Sequence, residues 1–99
     1  MVRGGVILSG SGFKDGSEIH EAVIAMLCLE EAGAEVSCFA PDRPQTKVVD
    51  HATGREEKLP RSILSEAARI ARGDIKALKD ADPSQLDAIV MPGGFGAAL

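Results

Sequence analysis

The chain has 99 residues, 44% of them hydrophobic, which bounds it to one small domain with a thin core. A net charge of −4, with no Trp and no Tyr, argues against a nucleic-acid or polyanion surface and against base-stacking platforms. No apolar stretch approaches the roughly 18 residues of a membrane span, so neither a nucleic-acid nor a membrane partner is expected.

The chain starts Met1-Val2-Arg3-Gly4-Gly5-Val6-Ile7-Leu8-Ser9, which lacks the longer apolar region of a signal peptide. A cytoplasmic location is expected, or an organelle matrix after processing. Residues 4–8 form a short apolar run bounded by glycine, as in a buried parallel strand. Residues 17–32 follow with Ile19, Ala22, Val23, Met26 and Leu27 at helical spacing, one face turned inward. Ser17 is a good N-cap, and Asp15 with Glu18 is an alternative capping box. Gly33 supplies the stop, and Ala34 to Phe39 reads as a second strand.

Residues 41–59 carry Pro41, Pro44, the β-prone Lys47-Val48-Val49 and then Thr53-Gly54, which suggests an excursion around 45–58 with a small hairpin turning at Gly54. A second helix is predicted from about Arg61 to Arg72. It carries Ile63, Leu64, Ala67, Ile70 and Ala71 on one side, and Gly73 closes it. Residues 74–86 are polar, anchored by Ile75 and Leu78. Asp87 to Met91 forms a third strand that runs into Pro92-Gly93-Gly94-Phe95-Gly96. The pattern β-α-β-hairpin-α-β is α/β: half of an open doubly wound parallel sheet with strand order 2-1-3. Its glycine-rich loops, residues 9–16 and 93–96, lie at the carboxyl ends of strands one and three, where such sheets bind ligands.

The loop Gly10-Ser11-Gly12-Phe13-Lys14-Asp15-Gly16 resembles phosphate-binding motifs only superficially. A P-loop ends in Gly-Lys-Ser/Thr, whereas this one ends in Asp15-Gly16-Ser17. The dinucleotide fingerprint has its third glycine where Asp15 stands. A small-ligand or nucleotide-binding module is therefore the alternative reading. Glu18 and Glu21 are helix neighbours. Either can simply complement the helix dipole, and a partly buried Glu21 would suit proton transfer. Gly93 and Gly94 leave backbone N–H groups able to hold an oxyanion, unless they serve only a tight turn. His20 and His51 lack a second ligand at useful spacing, so no metal site is expected. Cys28 and Cys38 read as small core hydrophobes with free thiols.

The blocks VILSGSGFKDGSEIHEA, CFAPD, SEAARIARG and MPGGFGAA, in this order, resemble the ElbB-like (enhancing lycopene biosynthesis) family. That family lies in the PfpI-like branch of the class I glutamine-amidotransferase-like superfamily. The resemblance implies a flavodoxin-like fold with a helix-one glutamate, matched best by Glu21 and next by Glu18. It also implies an oxyanion loop at Gly93 and Gly94, with Gly10 and Gly12 on the facing ligand loop. By the same resemblance the reaction is glyoxalase-type, from a 2-oxoaldehyde to a 2-hydroxy acid. It uses an elbow cysteine and no cofactor. Family members are much longer, and no elbow cysteine stands in residues 1–99. The expectation is a single partial domain, the N-terminal half of such a protein. Alone it is expected to be inactive, to take at most a small aldehyde ligand, and to form a homodimer through exposed sheet.

Overall fold

A computed structural model describes all residues, 1–99. Strand β1 (Arg3–Ile7) leads through a glycine-rich loop into helix α1 (Ile19–Glu31) and back into β2 (Glu35–Ala40). β2 lies parallel to β1 with Val6 opposite Cys38. An antiparallel hairpin follows, β3 (Val48–Asp50) and β4 (Arg55–Glu57), with Gly54 at its turn in the positive-φ region. Helix α2 (Ile63–Ala71) comes next, then the short strand β5 (Lys76–Ala77), two 3-10 turns, and β6 (Ala88–Val90).

The main sheet has four parallel strands in the order β5-β2-β1-β6. The predicted 2-1-3 order of the three longer strands is present within it. β5 extends it on the outer side of β2, where the sequence shows only a polar stretch: two residues cannot display an alternating pattern.

The core follows from strand parity. Val6, Leu8, Cys38 and Ala40 share one sheet face and cluster with Ala22 of α1 and with Ile63, Ala67 and Ala71 of α2. Leu8 and Val6 are fully buried. Both helices thus cover the same face, as right-handed crossovers from β1 to β2 and from β2 to β5 require. The chain then reverses direction across the sheet to reach β6, passing over the opposite face. There Leu86 packs so closely on Gly5 that a methyl group at Gly5 would stand 2.9 Å from Leu86 Cδ1.

α2 buries the face its sequence shows. α1 does not. Ala22 is buried and Met26 and Leu29 pack on the core, whereas Ile19, Val23 and Leu27 are exposed, as is Ile24 at 58%. The helix carries two apolar stripes and only one meets the sheet, a pattern proper to a helix enclosed on more than one side. Cys28 falls on the outer side and is exposed, contrary to its reading as a core residue, while Cys38 is buried as expected. β6 pairs only with β1, and its Ile89 is 57% exposed.

Candidate functional site

The start of α1 is built by Ser17, Asp15 and Glu18, each in a role other than the one its sequence position suggested. Glu18 is the N-cap: its Oε1 accepts the N–H of His20 at 2.7 Å and of Glu21 at 3.1 Å. Neither expected cap forms. Ser17 Oγ instead accepts the N–H of Ser9 at 2.9 Å, closing the glycine-rich loop on the end of β1. Asp15 is buried and accepts the N–H of Val49 at 2.8 Å, fastening that loop to the hairpin. His51 joins the same fastening, its Nε2 accepting the Lys14 N–H at 3.1 Å. The Glu21 N–H above all holds the Glu18 carboxyl below its ordinary value. Partial desolvation opposes this, and the His20 N–H and ring reinforce it.

The loop after β6 is stitched to this helix start. Glu18 N–H donates to Gly93 O at 2.7 Å, Phe95 N–H to Phe13 O at 3.0 Å, and Gly96 N–H to Gly16 O at 3.0 Å. The rings of Phe13 and Phe95 stack at a tilt with centroids 5.7 Å apart. Gly94 has φ +106° and lies against the backbone of Gly16, Ser17 and Glu18, where a side chain has no room. The N–H groups of Gly93 and Gly94 donate to no acceptor within the chain.

Glu21 is an exposed residue, not the partly buried one its position beside Ile19 and Ala22 suggested. Its carboxylate nonetheless lies against Gly93, closely enough that a methyl group there would collide with Oε1 and approach Oε2 to 3.1 Å. Glu21, Glu18, Gly93 and Gly94 therefore meet at one place. Gly10 and Gly12 do not join them: Gly10 lies against Gln45, and Gly12 against Asp15 and the His51 ring. Within the loop, Gly12 N–H donates to Ser17 O and Gly16 N–H to Gly12 O.

Beside Gly93, at the carboxyl ends of β1, β2 and β6, is a cleft of about 120 Å³. Its walls include Ile7, Leu8, Ser17, Leu78 and Met91, and Arg43 stands at its side. Sequence reasoning passed over Arg43. The signal was its place just after the second strand, on the sheet edge that binds ligands. The two thiols lie apart from this assembly. Cys28 is seven residues beyond Glu21, about 10 Å along the helix. Cys38 is in the core, where burial first and then the charges of Asp74 and Glu30 push its thiol up.

The chain is 50% identical over 97 residues to the ES1 protein homolog, mitochondrial, of Rattus norvegicus. It is equally similar to the glutamine amidotransferase-like class 1 domain-containing protein 3, mitochondrial, of Homo sapiens. Each alignment covers 97% of this chain and 36% of the relative. The crystal structure of an isoprenoid biosynthesis protein with an amidotransferase-like domain from Ehrlichia chaffeensis superposes with a TM-score of 0.94 at 43% identity. It matches 96% of this chain and 45% of that one. The chain is homologous to the ES1 and amidotransferase-like proteins. The ElbB-like resemblance of its sequence blocks therefore holds, and the fold is that of an amidotransferase-like domain. The chain spans about a third of the length of those curated relatives. No family model matches it. The expectation of a cytoplasmic location is overturned, because both curated relatives are named as mitochondrial proteins. The short apolar start of the chain carries no information on that point.

Proposed function

We propose that residues 1–99 supply the carboxylate and backbone-donor side of an amidotransferase-like carbonyl site acting in mitochondria. Glu21 is the proton-transfer group, and the N–H groups of Gly93 and Gly94 receive the developing oxyanion. The reaction is glyoxalase-type: a thiolate adds to the aldehyde carbon of a 2-oxoaldehyde. The proton on that carbon moves to the neighbouring carbon by way of Glu21, leaving a thioester. Water then releases the 2-hydroxy acid and the thiol. The thiol comes from outside these residues, since Cys28 and Cys38 lie away from Gly93, and the 99-residue chain alone is inactive. The observation that carries the reading is the contact of the Glu21 carboxylate with Gly93, in a loop bonded to the helix start through Glu18 and Gly16.

The test uses the chain with methylglyoxal, with and without a small added thiol that forms the hemithioacetal in solution. Without thiol, lactate formation should not exceed that of a Glu21→Ala control. With thiol, conversion should appear and fall about 100-fold in Glu21→Gln, the scale of a lost general base. Equal thiol-dependent rates in chain and variant refute the role of Glu21. Thiol-independent turnover abolished by Cys28→Ser or Cys38→Ser refutes the external nucleophile.

A further inference from the structure

The cleft beside Gly93 has a chemical character that the carbonyl chemistry alone does not require. It lies outside the carboxyl ends of three parallel strands, at the point where the chain reverses direction across the sheet. Arg43 is the one charged residue on its walls, and no carboxylate lines it. That is notable in a chain of net charge −4. Arg3, Arg61 and Arg69 are paired with Asp87 or Glu66, whereas the Arg43 guanidinium, like those of Arg55 and Arg72, forms no ion pair within the chain. Its backbone is held firmly all the same, because Arg43 O accepts the Ile63 N–H at 2.9 Å at the start of α2.

The remaining walls set the rest of the ligand. Ile7, Leu78 and Met91 are apolar and suit a short hydrocarbon stem. Ser17 Oγ already accepts the Ser9 N–H, which leaves its hydroxyl proton to donate. The volume, about 120 Å³, is small and suits a ligand of a few heavy atoms.

We infer that this cleft is a binding site for short carboxylates carrying a carbonyl or hydroxyl group, with Arg43 as the anchor of the carboxylate. Arg43 presents a planar fork that matches a carboxylate through paired hydrogen bonds. The anion site stands on the cleft itself. That its occupant is a substrate or product of the carbonyl chemistry rests on the function proposed above. The preferred substrate would then be a 2-oxoaldehyde that also carries a carboxylate, favoured over neutral methylglyoxal, with the charged end at Arg43 and the reacting end toward Gly93.

The experiment titrates the 99-residue chain with pyruvate and with hydroxyacetone, its neutral counterpart, following backbone amide shifts by NMR. Pyruvate should move the amides of Gly93 and Gly96 with a dissociation constant on the order of millimolar, the range open to so small a ligand. Hydroxyacetone should bind about tenfold more weakly. Arg43→Gln should weaken pyruvate about tenfold and leave hydroxyacetone unchanged, and Arg43→Lys should recover only part of the loss. Equal binding of the two compounds overturns the anionic class. Unchanged pyruvate binding in Arg43→Gln overturns the anchor. In both cases the Glu21 reading is left to its own thiol-dependent assay. Absence of any pyruvate shift at Gly93 and Gly96 overturns the site.

Discussion

Gly94 is where the structure makes its most quantitative demand. At φ +106° an alanine is strained by about 1 kcal/mol or more. Its methyl group would also stand 2.5 Å from Glu18 N and 3.0 Å from Ser17 C, besides meeting Gly16 O. All three are backbone atoms that no rotamer change can move. The loop must withdraw, and the bonds that hold it go with it: Glu18 N–H to Gly93 O, Phe95 N–H to Phe13 O and Gly96 N–H to Gly16 O. At about 1 kcal/mol each, loss of two or three adds about 2–3 kcal/mol. Gly94→Ala should therefore cost about 3–4 kcal/mol, a large share of the stability of a domain this size. For such a domain that is a fall in Tm of about 15–20 °C. Gly33 provides the control. It has φ +85° with nothing within 4 Å of an added methyl group, so Gly33→Ala isolates the conformational strain. That variant should lose only about 1 kcal/mol, or about 5 °C. Thermal unfolding of both variants by circular dichroism decides the matter. Equal losses would falsify the claim that the two glycine loops are docked at Gly94.

The low folded-state pKa of Glu18 implies that its contribution to stability is fully present above the ordinary carboxylate range, about 4.3. It should be lost as pH falls through the depressed folded value. Stability of the chain should thus drop more steeply with acidification than that of Glu18→Gln; parallel profiles refute the cap. Native thiol labelling followed by peptide mapping should modify Cys28 rapidly and Cys38 only on unfolding, and the reverse order refutes the outward placement of Cys28 on α1. The unpaired edge of β6 and the exposed Ile19, Val23 and Leu27 predict that the isolated chain self-associates as a two-fold dimer. Sedimentation at micromolar concentration should give twice the chain mass, and a folded monomer refutes it.

Apart from the two-residue β5, the succession of strands and helices was legible from local pattern alone. α2 shows why: Ile63, Ala67 and Ala71 recur at helical spacing among Ser65, Glu66 and Arg69, so one face could only be inside. The hairpin was legible for a similar reason, because Thr53-Gly54 offers a positive-φ turn between two short runs. Gly93, Gly94, Glu18 and Glu21 could be named because glycines after a buried strand and acids at a helix start are local features. Tertiary structure decided the rest. The two apolar stripes of α1 are equivalent in sequence, and only the direction of the sheet chose Ala22 and Met26 over Val23 and Leu27. Ser17 or Asp15 could each cap the helix by sequence, and Glu18 does so in the structure. The choice fell to partners far along the chain: Val49 took Asp15, and the carbonyl of Gly93 fixed the backbone of Glu18. The cleft and its single cation exist only because the chain segments after β1, β2 and β6 converge at one end of the sheet. Convergence of that kind is set by crossover handedness and strand order, which act over tens of residues and leave no mark on any short stretch of sequence.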